Sequence, residues 1–365
     1  MQRPDVTPRL EIDLNKIRHN SAHLTEKLGA RGVSITGVTK VALGDPNVAQ
    51  AMLAGGISAL GDSRIDNIRR MRHAGINAEF TLLRSPQLSR VDEVVRYADI
   101  SLNSEREVID QLSQAAQHQQ CTHRILLMVE LGDLREGIPL AELDQVIEHC
   151  LTLPNIAIEG IGTNLTCLSG VKPDSLNMGR LSQAAKNIRE KYGLALPRVS
   201  GGNSSSLSWL CNSDQPNAIN NLRLGEAIIL GCDPLNRQAL PSMYQNAVTL
   251  VAEVIEAKIK PSVPEGQLAQ NAFGELPEFI ERGDIQRSIL DLGQQDIQLE
   301  GITPELPDLE ILGASSDHLV VDSSYHPQQV GDQLRFRLSY SALLAAMTSP
   351  FVEKTFVGQS RVITL

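Results

Sequence analysis

Lys40 follows an apolar run, Ile35 to Val38, that reads as a short strand. A lysine leaving such a strand is partly desolvated, and desolvation in general favours the neutral, nucleophilic amine that can bond to a carbonyl carbon. The competing reading is an ordinary surface lysine capping a strand. Further along, Gly201-Gly202-Asn203-Ser204-Ser205-Ser206 precedes a predicted helix. Glycines permit close backbone approach, and a helix N-terminus offers N–H groups to an anion such as a phosphate. A flexible loop ending in a helix cap is the alternative. Gly225, just after a strand, would complete the same cradle. Arg223, flanked by Leu222 and Leu224, would point into the site or pair with Glu226. Arg135 sits in a loop with Asp133 and Glu136, either of which could hold it. Cys167 follows Thr163-Asn164.

These residues need elements to bring them together. Eight short apolar runs alternate with helical patterns: Ser34–Val38, Ile57–Leu60, Glu79–Leu83, Asp99–Leu102, Arg124–Glu130, Ala157–Gly162, Arg198–Ser200 and Asn221–Leu224. Alternation of this kind implies parallel pairing through helical crossovers. Eight units point to an α/β fold of the (β/α)8, TIM-barrel type, with a doubly wound sheet as the alternative. Such barrels carry their chemistry at the C-terminal ends of the strands. Lys40, Arg135, Asn164 with Cys167, Asn203 with Ser204, and Arg223 with Gly225 all fall at those ends or past them. From about Gln238 the pattern changes. Val248–Ile259, Arg287–Leu292, His318–Asp322 and Gln333–Leu338 read as strands, 260–283 as loop, and only Tyr340–Met347 as helix. The expected organisation is a barrel over 14–237 followed by a smaller, mostly β domain over 238–365, which residues 1–13 are candidates to join.

Composition narrows the function classes. The 365 residues carry a formal net charge of -10, which argues against a nucleic-acid partner. Five cysteines, none in a Cys-x-x-Cys pair, suggest reduced thiols rather than a disulfide framework or zinc site. His19 and His23 stand four apart on a predicted helix but lack a third ligand, so no metal is expected. No run approaches the ~18 apolar residues of a membrane span. A soluble, cytoplasmic protein with a small-molecule substrate is the expectation.

The motifs together resemble the alanine racemase family of fold type III enzymes, which use pyridoxal 5'-phosphate (PLP). Arg9-Leu-Glu-Ile-Asp-Leu-Asn-Lys-Ile-Arg-His-Asn20 resembles the family's opening, and Val38-Thr39-Lys40 its cofactor-lysine strand. Gly132-x-x-Arg135, Asn203-Ser204 and Arg223-Leu-Gly225 match in order. So do Gly313-Ala-Ser-Ser-Asp317-His-Leu-Val-Val-Asp322, Val330-Gly331-Asp332 and Leu338-Ser339-Tyr340. Gly61-Asp-Ser-Arg64 and Leu290-Asp-Leu-Gly-Gln-Gln-Asp296 are similar to the ornithine/alanine racemase branch.

The resemblance implies roles. Lys40 would carry PLP covalently and act as a base. Ser204, the backbone at Gly225 and Glu226, and Tyr340 would bind the phosphate, with Asn203 in the same loop. Arg135 would orient the substrate carboxylate. Arg223 would donate to the pyridine nitrogen, leaving the ring a weaker electron sink and favouring proton return over transamination. A homodimer is also implied, with the β domain completing a partner's active site.

Departures from the family are equally informative. Asn164 stands where a histidine usually stacks on the cofactor, Leu43-Gly44 where a tyrosine is usual, and Met128 where a lysine is often carbamylated. The tyrosine that serves as second base is replaced in the run Gly293-Gln294-Gln295-Asp296. Cys167, Asp296 or a water held by Gln294 could supply that base, and Cys167 is preferred. The expected activity is PLP-dependent racemisation of an amino acid such as alanine, ornithine or lysine. The alternatives are a PLP-dependent decarboxylase or aldolase on the same scaffold, a class I aldolase, and a non-catalytic PLP-binding protein.

Overall fold

The computed structural model describes residues 6–213 and 218–358. The chain forms two compact units. The larger runs from Leu14 to Gln245. Its strands are β2 (Ser34–Val38), β3 (Ala59–Asp62), β4 (Glu79–Leu82), β5 (Ile100–Asn103), β6 (His123–Met128), β7 (Ile156–Gly162), β8 (Arg198–Ser200) and β9 (Asn221–Leu224). All neighbours pair in parallel, and β9 returns to β2 to close the barrel. Helix α1 (Leu14–Gly29) precedes the first barrel strand, and the crossovers include α2 (Pro46–Ala54), α3 (Ile65–His73) and α7 (Ser175–Tyr192). Local chemistry sets their ends. Asp45 caps α2 by accepting from Asn47 N and Val48 N, with Pro46 in the first turn. Asp174 and Asn177 form a capping box on α7, and Gly193 ends it in the left-handed conformation.

The junction expected at 237/238 falls instead after Gln245. Residues 242–245 stay with the barrel because α1 holds them. Buried Asn20 donates to Ile228 O and Tyr244 O and accepts from Tyr244 N, and His19 Nε2 lies 2.9 Å from Ser242 O.

The second unit takes β1 (Arg9–Asp13) and the chain from Asn246 to Gly358. Its strands are β10 (Val248–Pro261), β11 (Asp284–Leu290), β12 (Ile302–Pro304), β13 (Glu310–Ala314), β14 (Leu319–Asp322), β15 (Gln333–Leu338) and β16 (Glu353–Val357), with α10 (Tyr340–Thr348) before the last. The main sheet order is β12-β15-β10-β11-β14-β13, and β1 pairs with both β10 and β16. Sequence patterning missed β12, β13 and β16. They are short and only partly buried, so alternation is weak there.

At the N-terminal ends of the barrel strands, charge fills the space. Arg124 Nη2 and Arg198 Nη2 each lie 2.8 Å from Glu79, and Glu159 Oε2 lies 3.3 Å from Arg124 Nη1. Burial alone would raise the Glu79 pKa, but hydrogen bonds from Arg198 and Arg124 outweigh it and hold the group below its ordinary value. A depressed carboxylate contributes stability above its unfolded pKa and loses it as the pH falls through the folded value. We therefore expect Glu79→Gln to cost roughly 1–3 kcal/mol at pH 7. The gap in melting temperature between variant and wild type should narrow as the pH drops below about 4. Thermal melts at pH 7 and pH 3 check this; an equal gap at both pH values would refute the network's electrostatic role.

Candidate active site at the barrel mouth

The C-terminal rim gathers the polar strand ends. Thr39 leaves β2 with its N–H still on Gly61 O at 3.0 Å, so pairing with β3 continues one residue past the strand. Half-buried Lys40 then opens a single 3-10 turn, Lys40–Ala42, closed by Leu43 in the left-handed conformation. The last residues of β9 close on this turn. A Cβ on Gly225 would stand 3.0 Å from Val38 Cβ and 3.1 Å from Val38 O, so only a glycine fits without displacement.

The loop after β8 meets the loop after β9. Arg223 N donates to Gly202 O at 2.9 Å, and Ala227 N donates to the buried Ser204 Oγ at 3.2 Å. The Gly201–Ser204 backbone and the Gly225–Glu226 backbone therefore line one concavity beside Lys40. Glu226 itself turns to Arg237, with which it forms an ion pair. Burial raises the Glu226 pKa, opposed by Arg237 and by the field of Lys40.

Arg223 lies under the mouth, 6% exposed. Its Nη1 donates to Ser200 Oγ at 2.6 Å and its Nη2 to Thr163 O at 2.7 Å, so it spans from β9 across β8 to the end of β7. Burial lowers its pKa to about 10, which leaves it protonated at neutral pH. Ser200 Oγ in turn donates to Asn221 Oδ1, and Asn221 Nδ2 donates to Thr36 Oγ1 at 3.1 Å. A chain of neutral oxygens thus disperses the buried charge.

Opposite, Asn203 organises the loop after β7. Its Nδ2 donates to Asn164 Oδ1, Leu165 O and Cys167 Sγ at 3.1, 2.9 and 3.3 Å. Cys167 is exposed and lies in electrostatic reach of both Arg135 and Arg223. Arg135 pairs with Glu136, whose carboxylate holds the guanidinium pKa up. Sequence reading offered Asp133, inside the same Gly132-x-x-Arg135 motif, only as a partner for Arg135, and missed what it holds. Asp133 is buried and accepts from Leu168 N and Ser169 N, while Ser169 Oγ donates to Asp133 O at 2.7 Å. It fastens the Cys167 loop to the Arg135 loop. Met128, in the position of the family's often-modified lysine, packs in an apolar cluster with Ile100, Leu102 and Leu126.

Two expected site residues belong to the second unit. Tyr340 is half-buried at the start of α10, capped by Ser339. Asp296 is 3% exposed, with Oδ1 accepting from Ser349 Oγ at 2.7 Å and Oδ2 facing Gly293 N at 3.4 Å. A carboxylate turned into its own unit braces the Gly293–Asp296 turn, and this geometry gives no support to its candidacy as a base.

The rim suits a phosphate-bearing cofactor. Gly201–Ser204 and Gly225–Glu226 line a cradle, Lys40 stands beside it, and Asn164 Nδ2 is a buried donor lacking an acceptor. Buried donors are rarely left unmatched, so this one fits a bound group bearing an acceptor. Among the described residues no cluster of three His, Cys, Asp or Glu side chains could hold a metal ion, and no helix is long and apolar enough to cross a membrane.

Fold and site define a two-unit barrel enzyme with a lysine, a buried guanidinium and an anion cradle at one rim. The family profile described as alanine racemase, N-terminal domain, matches residues 12–233. The lysine racemase of Thermotoga maritima is 41% identical, over 96% of this chain and 99% of its own. The ornithine racemase of Acetoanaerobium sticklandii is 39% identical, over 95% of this chain and 99% of its own. Among solved structures, alanine racemase from Bacillus anthracis superposes with a TM-score of 0.76 at 18% identity, covering 99% of this chain and 98% of that one. D-threonine aldolase from Filomicrobium marinum shares the fold, with a TM-score of 0.73 at 15% identity over 94% of this chain and 88% of that one. The chain belongs to the alanine racemase family and is an amino-acid racemase.

The Asp133 clasp makes a testable statement about the site. Asp133→Ala leaves two backbone N–H groups without their acceptor, a cost of roughly 1–3 kcal/mol. Alkylation of Cys167 should accelerate several-fold and turnover should fall about tenfold or more. Unchanged rates of both, with a normal melting temperature, would show that the clasp does not order this loop.

Proposed function

We propose that the chain is a PLP-dependent racemase acting on ornithine or lysine, in a cytoplasmic homodimer. The observation that carries the cofactor is the convergence of Lys40, the Gly201–Ser204 and Gly225–Glu226 backbone, and Arg223 on one rim. The substrate class rests on two relatives of near-equal length, one named lysine racemase and one ornithine racemase.

In this reading Ser204 and the backbone at Gly202 and Gly225–Glu226 would hold the phosphate, and Lys40 would carry the cofactor between turnovers. Bound there, PLP supplies the electron sink that makes an amino acid's Cα proton removable. Arg223, held by Ser200 and Thr163, would donate to the ring nitrogen, which would limit the sink and favour returning the proton. Asn164 offers its buried Nδ2 to the cofactor, and Arg135 meets the substrate carboxylate. Lys40 Nζ would take the Cα proton from one face. Cys167 Sγ, placed by Asn203, gives a proton to the other. The reverse reaction runs through the same two groups with their protonation exchanged.

Purified protein should be yellow, and Lys40→Ala should abolish both the colour and racemisation. A colourless wild type that PLP cannot reconstitute would overturn the cofactor assignment. Chiral chromatography of L- and D-alanine, serine, ornithine, lysine and arginine tests the substrate class, and the same runs detect decarboxylation or aldol cleavage. Cys167→Ala should reduce racemisation at least 100-fold in both directions. It should nonetheless retain solvent deuterium exchange at Cα of the enantiomer whose proton faces Lys40. Full racemisation by this variant would remove Cys167 from the mechanism.

A further inference from the structure

The Gly61-Asp-Ser-Arg64 motif has no part in the scheme above, yet its aspartate reaches the cofactor lysine's turn. Asp62 is the last residue of β3 and 0% exposed. Its Oδ2 accepts from Thr39 Oγ1 at 2.7 Å, and its Oδ1 from Asn67 Nδ2 at 2.9 Å and Arg64 N at 3.0 Å. All three donors are neutral or backbone groups. Burying a carboxylate among such donors is costly, and burial raises its pKa accordingly. A fold that only needed a strand end there would do better with an apolar side chain.

The two arms of the carboxylate grip the two ends of one turn. Thr39 is the residue before Lys40, sitting near the bridge region at φ -91 and ψ 0. Its carbonyl accepts from Ala42 N at 2.9 Å and Gly44 N at 3.2 Å. Gly44, at φ +64, packs on the other arm: a Cβ added there would stand 2.5 Å from Asn67 Cβ. Asp62 thus holds Thr39 directly and Gly44 through Asn67, and Lys40 lies between them.

We propose that Asp62 is a positioning residue that presents Lys40 to the cofactor by fixing the Thr39–Gly44 turn. It touches neither substrate nor cofactor and acts through Thr39 and Asn67. The proposal rests on the reading of Lys40 as the cofactor lysine.

The test measures attachment separately from binding. Attachment condenses the Lys40 amine with the PLP aldehyde, releasing water and forming a C=N bond, which borohydride reduces to a stable amine. Full-length wild type, Asp62→Asn, Thr39→Val and Thr39→Ser are loaded with PLP and treated with borohydride. Peptide mass spectrometry then gives the fraction attached at Lys40. Total bound PLP is read by equilibrium dialysis, and kcat and KM on the best substrate are measured alongside. Asp62→Asn and Thr39→Val should bind PLP within about threefold of wild type. Both should show attachment rates and kcat lowered at least tenfold, with KM little changed. Thr39→Ser, which keeps the hydroxyl, should restore both. If Asp62→Asn does not fold, Thr39→Val carries the test alone, since it removes the same hydrogen bond from the other side. Wild-type attachment and kcat in folded Thr39→Val would overturn the proposal, as would losses in Thr39→Val that Thr39→Ser shares. Absence of Lys40 attachment in wild type would instead overturn the cofactor reading beneath it.

Discussion

A closed parallel barrel ends all its strands on one rim, and everything functional in this chain depends on that constraint. The residues that follow β2, β6, β7, β8 and β9 therefore meet on that rim, although those strands lie far apart in the sequence. Lys40 from β2, Asn164 from β7, Ser204 from β8 and Arg223 from β9 become neighbours because β9 closes back on β2. The Gly225–Val38 contact is the closure felt at the level of single atoms. At the opposite ends of the strands the same convergence brings Glu79, Arg124, Glu159 and Arg198 together, where charge serves stability rather than chemistry.

Beneath the rim the barrel accepts polar groups that a purely structural core would exclude. Arg223 carries a protonated guanidinium held by Ser200 and a backbone carbonyl, and Asp62 a carboxylate held by neutral donors. Neither is matched by a direct ion pair with the other. Each is stabilised by a short relay, Ser200–Asn221–Thr36 in one case and Thr39 with Asn67 in the other. Satisfied networks of this kind are rigid, because losing any one member strands a buried partner. Rigidity beneath the rim keeps the turn that carries Lys40 in one position.

The departures from the family pattern have local accommodations. Where a lysine is often modified, Met128 completes an apolar cluster, and Arg135 draws on Glu136 instead. Where a ring would stack, Asn164 joins Asn203 and leaves a donor facing inward. The site has exchanged bulky and charged groups for amides and a thiol. That leaves a rim whose fixed charges are Arg135, Arg223 and Lys40 with carboxylates close behind them, in Glu136 and Glu226.

The linear chain by itself determined the barrel, because strand and helix periods and turn residues are local properties. All eight runs fall on barrel strands, several to within a residue, and the polar residues that follow them fall on the rim. The rim positions of Lys40, the Gly201-Gly202 turn and Arg223 were legible for the same reason. The weakly alternating strands β12, β13 and β16 were not, since short, half-exposed edges leave little pattern. Only the tertiary structure decided which acidic side chains turn inward and what they hold. Asp62 reaches across to Thr39, Asp133 spans two loops to Leu168 and Ser169, and Asp296 folds back onto Ser349. Those partners are 23, 35 and 53 residues away in the chain for Thr39, Leu168 and Ser349. Cross-strand register and loop closure choose such pairs, and neither is a property of any one segment.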